Sequence, residues 1–167
     1  MNALTVKLED VFVVECFGPD GRLKWRDEIH NLVVDEGLND SLDKYFKGSA
    51  YTAAHYCGLT SGSPTITAAD TLASHSGWTE VTDYDETARP TVVWGTVASG
   101  SVDNSANKAV FTINASATIG GAFIATDSTK GGTSGVLYGA GAFTGGDKTL
   151  SAGDTLNVTV TASSTAA

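Results

Sequence analysis

A break in composition near Arg89 constrains the fold of this chain more than any other sequence feature. Residues 1–89 contain 22 charged side chains, whereas residues 90–167 contain 7. The second stretch consists largely of Gly, Ala, Ser, Thr and Val, with short runs in which apolar and polar residues alternate. Such a stretch offers few groups for catalysis, but it suits thin, closely packed antiparallel β-structure. The composition therefore favours a structural or docking role.

A β-hairpin is predicted near the start of the chain. Val11–Phe17 is a run of β-forming residues, and the turn residues Gly-Pro-Asp-Gly follow at positions 18–21. In Leu23–Ile29, apolar side chains alternate with charged ones, with Leu23, Trp25 and Ile29 on one face. We divide the chain into an N-terminal hairpin arm at 1–30 and a β-sandwich domain at 31–167. A single continuous domain is the alternative.

One helix is predicted between residues 33 and 46, most strongly over about 35–47. Four apolar residues fall on one face at helical spacing, namely Leu38, Leu42, Tyr45 and Phe46. Acidic residues near the start and lysines near the end suit the helix dipole. Gly48 is placed just past the end of the helix, and Gly37 weakens the pattern from within. We expect this helix to pack across an end or an open face of the β-structure.

Short strands separated by turn residues account for most of the remaining sequence. They are predicted at 51–59, 78–81, 91–97, 108–114, 118–126, 136–143 and 155–162. In the last strand Leu156, Val158 and Val160 share one face, which is expected to point inward. The pattern indicates a mainly β fold, either an antiparallel β-sandwich or a jelly-roll-like barrel, with one α-helix and the N-terminal hairpin.

Charge and hydropathy limit the classes of partner. The net charge of −9 disfavours direct binding to DNA or RNA, because phosphate backbones repel an acidic surface. No run approaches 18 apolar residues, so no membrane span is expected. The N-terminus does not resemble a signal peptide, which predicts synthesis in the cytoplasm. Cys16 and Cys57 are predicted to be buried free thiols, although a disulfide between them remains an alternative.

Histidine and carboxylate spacing predicts no metal site. The histidines at 30, 55 and 75 lie far apart and none has a second histidine at ligand spacing. The acidic turn at 83–86 lacks the glycine and the distal glutamate of a calcium-binding loop. We therefore expect neither a metal nor a cofactor.

Catalytic residues are not expected either. The chain has no Gly-x-Ser-x-Gly elbow, phosphate loop or dinucleotide fingerprint. Glu80 lies near Trp78 in a combination that sugar-binding clefts sometimes use, but packing in the core or a loop explains it more simply. Our prediction is that the protein is not an enzyme.

Five residues are candidates for a protein interface because aromatic side chains and arginine are enriched in such surfaces. They are Trp25, Arg26, Trp78, Tyr84 and Arg89. For the tryptophans, burial in the core is the competing interpretation. For Arg89, the alternatives are an ion pair with the acidic turn and an ion pair with a partner.

Several sequence runs resemble a family of small virion proteins of tailed bacteriophages. The most specific run is Asp70-Thr-Leu-Ala-Ser-His-x-Gly-Trp-Thr-Glu80. Asn31–Val34, Gly37–Asn39, Asn104–Ala106, Phe111–Asn114, Gly121–Phe123 and Gly153–Leu156 continue the pattern, which extends from about residue 25 to the end.

The resemblance implies a component of the phage particle. Within such a particle, the small size, the acidity and the β-rich sequence of this chain favour a capsid decoration (cement) protein on the outside of the mature head. Its partner would then be the major capsid protein, with self-association as a dimer or trimer expected as well. The alternatives are a tail, fibre or head–tail joining protein of the same virion, or a carbohydrate-binding β-sandwich module.

Overall fold

The computed structural model describes residues 6–51 and 54–166, which form a sandwich of two antiparallel sheets with one α-helix. The predicted mainly β fold is therefore confirmed. The sheets do not close on each other, so the barrel alternative is wrong. Among the described residues, no helix is long and apolar enough to cross a membrane.

The first sheet contains the N-terminal hairpin and the C-terminal strand. Its five strands are β1 (Val6–Phe17), β2 (Leu23–His30), β7 (Ser101–Asp103), β8 (Ala109–Thr112) and β12 (Thr155–Ala166). The predicted hairpin is present, and Gly21 takes the left-handed conformation at its turn (φ 74°). β1 also pairs with β12 along its whole length, from Val6–Ala166 to Phe17–Thr155. Residues 6–30 are therefore an integral part of this sheet.

The second sheet contains seven strands, namely β3 (Leu32–Val33), β4 (His55–Ser61), β5 (Glu80–Val81), β6 (Thr91–Val92), β9 (Ala117–Ala125), β10 (Leu137–Ala142) and β11 (Lys148–Leu150). Five of them lie side by side in the order β3-β10-β9-β4-β5. β3, β7 and β11 were not predicted, and β5 and β6 are shorter than predicted. Strands of two or three residues are too short to show a period of two.

The main core lies between the sheets. Phe12, Val14 and Cys16 of β1 face it, and Val158 and Val160 of β12 meet them there, all fully buried. The predicted inward face of the last strand is thus confirmed. The predicted inward face of β2 is correct for Ile29, which is fully buried. It is wrong for Leu23, which is exposed because the pairing of β1 with β2 shifts register between Cys16 and Phe17.

A second, smaller core covers the opposite face of the second sheet. Phe123 and Ala125 of β9 pack there with Val34, Leu72 and Trp78. β9 is therefore buried on both faces, and its neighbours must approach closely. At Gly58 of β4, a Cβ atom would overlap the Phe123 ring, which explains a glycine in the interior of that strand.

The helix α1 extends from Asp35 to Lys47, as predicted, and ends at Gly48 in the left-handed conformation (φ 66°). Gly37 is its buried residue. The backbone of Tyr138 in β10 comes so close that a Cβ atom on residue 37 would overlap the Tyr138 carbonyl oxygen. The glycine that weakens the helical pattern is thus the residue through which the helix packs.

Both cysteines are buried and free. Burial is the first cause that raises the pKa of Cys16 to about 11 and that of Cys57 to about 12. The prediction of two buried thiols is therefore confirmed, and both thiols stay protonated near neutral pH.

Candidate functional site

The apolar side of α1 faces away from the protein. It consists of Leu38, Leu42, Tyr45 and Phe46, which we call the α1 surface. All four side chains are exposed, Tyr45 to 83% and Phe46 to 75%. The two rings pack edge to face with centroids 5.0 Å apart. Large apolar side chains that cluster on the outside of a protein mark an interaction site more often than isolated ones do.

The opposite side of α1 is small and polar, and it faces the second sheet. The Ser41 hydroxyl donates to the Gly37 carbonyl (3.0 Å) and lies 3.1 Å from the Tyr138 hydroxyl. Lys44 Nζ donates to the Ala50 carbonyl (2.8 Å) and lies 3.7 Å from Asp40 Oδ1. The close approach at Gly37 therefore turns the polar side inward and leaves the apolar side exposed among the described residues.

A pocket of about 530 Å³ lies between α1 and one end of the sandwich, and we call it the α1 pocket. Its most buried lining residues are Asp10 of β1 and Ile124 of β9. Aromatic side chains form much of the remaining lining, namely Tyr45, Tyr51, His55, Trp94 and Tyr138. Concave, largely apolar pockets with a few polar groups are the usual form of ligand sites.

Three aromatic rings form a row along the α1 pocket. His55 lies between Trp94 and Tyr138, with edge-to-face contacts at centroid distances of 5.8 and 5.7 Å. The Trp94 indole N–H donates to His55 Nδ1 at 3.1 Å. Because an indole nitrogen can only donate, the imidazole is neutral with its proton on Nε2. Burial lowers the pKa of His55, which agrees with this neutral form.

Asp10 is a buried carboxylic acid that forms no ion pair with the residues that the structure describes. Asp10 is 3% exposed and lies on the same face of β1 as Phe12. Within the described ranges, Asp10 Oδ2 has no hydrogen-bond partner, and neither has the side-chain amide of Asn31. Burial raises the pKa of Asp10 to about 7, and the nearby Asn31 side chain lowers it only in part. Such a group is expected at a binding site more often than in a structural core.

Two of the predicted interface residues lie on β2. Trp25 is half-buried and packs edge to face on Phe143 at 5.7 Å, whereas Arg26 is exposed. Neither residue lies on the α1 surface or in the α1 pocket.

The other three predicted interface residues are internal, which corrects the expectation that they form a surface. Trp78 is buried, stacks on His75 at 3.8 Å and donates to Asp70 Oδ2 at 3.1 Å. Tyr84 is fully buried against Phe111. Buried side chains of this size stabilise the fold, because their contact area is already used within the chain.

Arg89 is also internal, at 2% exposure. Its guanidinium donates to both oxygens of Glu80 (3.0 and 2.7 Å) and to the carbonyls of Asp127 and Gly132. Its ion partner is thus Glu80 and not the acidic turn. The same pair removes Glu80 from any role beside Trp78 in a sugar-binding cleft.

The histidines and the acidic turn, whose spacing in the sequence predicts no metal site, lie in separate places. His30 lies near Glu28 on β2, His55 lines the α1 pocket and His75 stacks on Trp78. In the acidic turn, Glu86 accepts from the Thr112 amide and Asp85 from Asn114. Within residues 6–51 and 54–166, no three His, Cys, Asp or Glu side chains come together as a metal site.

Sequence reasoning missed Asp10, because the strand was predicted to begin at Val11. Extending the alternation of Cys16, Val14 and Phe12 back by two residues would have placed Asp10 on the buried face. The row of His55, Trp94 and Tyr138 had no comparable signal, because these residues come from three separate strands or loops.

No protein-family model matches this chain, and no curated protein sequence matches it. The function is therefore inferred from the α1 surface, the α1 pocket and the sequence patterns.

Proposed function

We propose that this protein is a structural component of a bacteriophage particle, a capsid decoration protein that docks on the outside of the mature head through the α1 surface. The observation that carries this proposal is the outward-facing group of Leu38, Leu42, Tyr45 and Phe46. The resemblance of the Asp70–Glu80 run to small virion proteins of tailed bacteriophages is the reason for proposing a phage particle.

A docking role agrees with the form of the α1 surface. Aromatic side chains that protrude from a rigid helix provide contact area at low entropic cost when a partner covers them. Helices of this kind commonly bind in an apolar groove of the partner. The net charge of −9 favours a shell surface with basic groups around an apolar groove as the partner.

Stabilisation of the shell would follow from ordinary linkage. A protein that binds the expanded shell but not its precursor shifts the equilibrium toward the expanded form. Many copies acting together would multiply a modest contribution from each site.

Co-sedimentation with bare, expanded shells tests the proposal. The wild-type protein is expected to pellet with the shells in a saturable amount, in hundreds of copies per particle. The double variant Tyr45→Ser/Phe46→Ser is expected to remain in the supernatant. Leu23→Ser is the matched control, because Leu23 is a similarly exposed apolar residue on β2, outside the α1 surface.

The outcomes separate the alternatives. Wild-type protein that never pellets would contradict a decoration role. A copy number of about a dozen or fewer in purified particles would favour the tail, fibre or head–tail joining protein. If the free wild-type protein sediments as a dimer or trimer and the double variant as a monomer, the α1 surface serves self-association instead.

The carbohydrate-binding alternative has less support. It required Trp78 to present its ring to a sugar, and that ring is covered by His75 and Phe123.

A further inference from the structure

The α1 pocket is lined by an acid, Asp10, that forms no ion pair with any cation in the described part of the chain. Asp10 lies at its buried end, and Oδ2 has no hydrogen-bond partner within the described residues. A buried carboxylate without a partner costs free energy, so a stable fold retains one only where other contacts compensate. Asp10 is also one of the residues that line the pocket, so a ligand bound there would lie beside this acid.

The aromatic lining gives the pocket a second preference. Trp94 and Tyr138 flank His55 inside it, and Tyr45 and Tyr51 are exposed near its opening. The faces of tryptophan and tyrosine rings attract cations, and several such rings around one cavity suit a cation with an apolar surface.

The other charged groups at the pocket do not cancel the acid. Asp40 adds a second carboxylate, and its partner Lys44 also donates to the Ala50 carbonyl. His55 is neutral, because its Nδ1 accepts the indole hydrogen of Trp94. The electrostatic potential in the pocket is therefore negative when Asp10 is ionised.

We propose that the α1 pocket binds an organic cation, a guanidinium or alkylammonium group, with Asp10 as its counter-ion and the surrounding aromatic rings against its apolar part. The ligand chemistry is read from the pocket alone, so the proposal does not depend on a role in a phage particle. The cation can belong to an arginine or lysine side chain of a partner, or to a free small molecule.

Binding of the cation is expected to depend on pH. The acid must lose its proton to form the ion pair, and burial raises the pKa of Asp10 to about 7. Asn31 lies beside the carboxyl, and the titratable or charged groups that line the same pocket include His55, Tyr138, Asp40 and Lys44. Burial keeps His55 and Tyr138 neutral by lowering the pKa of the first and raising that of the second. Affinity is therefore expected to rise about tenfold between pH 6 and pH 8.

NMR titration of the full chain tests the proposal. The probes are N-acetyl-arginine methylamide, N-acetyl-lysine methylamide and tetramethylammonium, and the neutral N-acetyl-citrulline methylamide serves as the uncharged analogue. The Trp94 indole N–H and the Asp10 carboxyl carbon are the reporter signals. The cations are expected to shift both signals in a saturable manner, and the citrulline analogue is expected to leave them unchanged.

Three variants refine the test. Asp10→Asn, which is nearly isosteric, is expected to weaken binding of the cations at least about tenfold. Lys44→Gln removes a positive charge, which repels the bound cation, from the pocket lining and is expected to tighten binding a few-fold. Glu9→Gln is the matched control, because its carboxylate lies one position along β1 on the other face of the sheet. Thermal melts of each variant confirm that it is folded.

Equal shifts with arginine and citrulline probes, or equal binding by the Asp10→Asn and Glu9→Gln variants, would overturn the proposal. Shifts by neither class of probe at tens of millimolar would overturn it as well. Tighter binding of the capped amino acids than of tetramethylammonium assigns the site to a partner's side chain, and the reverse order assigns it to a free cation.

Discussion

The two ends of the first sheet contain buried carboxylates in opposite situations. Near the hairpin turn, Asp154 Oδ2 accepts from Lys24 Nζ (2.6 Å) and from the Ser151 amide (2.9 Å). Burial alone would raise the pKa of Asp154, but these bonds outweigh it and the pKa is lowered. At the other end, burial raises the pKa of Asp10, and the Asn31 side chain offsets this rise only in part.

Both carboxylates are shielded from solvent, and they differ in their hydrogen-bond and ion-pair partners. Asp10 and Asp154 are 3% and 0% exposed. The second sheet repeats the paired arrangement with Glu80 and Arg89, and Asp27 repeats it with Lys148. These paired carboxylates contribute to the fold, whereas Asp10 lies in a pocket. If the α1 pocket binds a cation as proposed, the comparison locates the position at which stability is lowered for binding.

Removing the cation from a fully buried pair gives the largest expected effect. Arg89→Met leaves Glu80 charged and buried, so the free energy of unfolding should fall by about 3–5 kcal/mol. Urea denaturation measures this change. Arg22→Met is the control, because Arg22 is almost fully exposed beside Asp20 and its loss should change little. A loss below about 1 kcal/mol for Arg89→Met would contradict the structural role of this pair.

Removing the acid at Asp10 should instead raise the free energy of unfolding. Native Asp10 keeps its proton up to about pH 7, whereas the unfolded chain loses it near pH 4. The native state thus binds more protons between these values, and the free energy of unfolding falls as pH rises. Asp10→Asn should remove this loss and stabilise the protein at pH 8 by at most about 4 kcal/mol.

The measurement for Asp10 is the difference in unfolding free energy between wild type and Asp10→Asn at pH 5 and pH 8. The lowered pKa of His55 acts in the other direction, since acidification favours the unfolded chain below about pH 6.5. Both proteins share that contribution, so it cancels in the difference. A difference that is the same at both pH values would show that Asp10 ionises as in the unfolded chain.

Lys24→Met tests the partnered end of the sheet with a smaller effect. The side chain of Lys24 is 38% exposed, so solvent screens part of its interaction with Asp154. We expect a loss of about 2 kcal/mol in the free energy of unfolding, measured with urea. The exposed pair of Lys7 and Glu9 provides the control variant Lys7→Met. Adding Asp154→Asn to Lys24→Met should recover part of the loss, and no recovery would argue against the pairing.

The α1 surface should contribute least to stability. Tyr45→Ser/Phe46→Ser is expected to change the free energy of unfolding by no more than about 0.5 kcal/mol, because both rings are exposed. Phe12→Ala, in the main core, should cost about 3–5 kcal/mol in the same urea experiment. A large loss in the double serine variant would mean that the rings stabilise the fold and are not kept for a partner.

Local sequence patterns determined much of the framework. The hairpin, the bounds of α1 with Gly48 at its end, and the alternation in β12 all follow from periodicity and turn chemistry, which act over a few residues. The charge-poor second half correctly indicated antiparallel β-structure. Strands such as β3 and β11 escaped prediction because their pairing partners, and not their own residues, hold them in the sheet.

Only the tertiary structure decided which surfaces and acids are available. The apolar spacing in α1 fixed its helical form, but the backbone contact between Gly37 and Tyr138 turned its apolar side outward. Similarly, the sequence contains many carboxylates, and their order in the chain does not show that Lys24 pairs with Asp154. The pKa values of Asp10 and Asp154 differ because partners more than a hundred residues away, such as Lys24 for Asp154, reach one carboxylate and not the other. Electrostatics and packing of this kind depend on distances in space, which the order of residues alone does not specify.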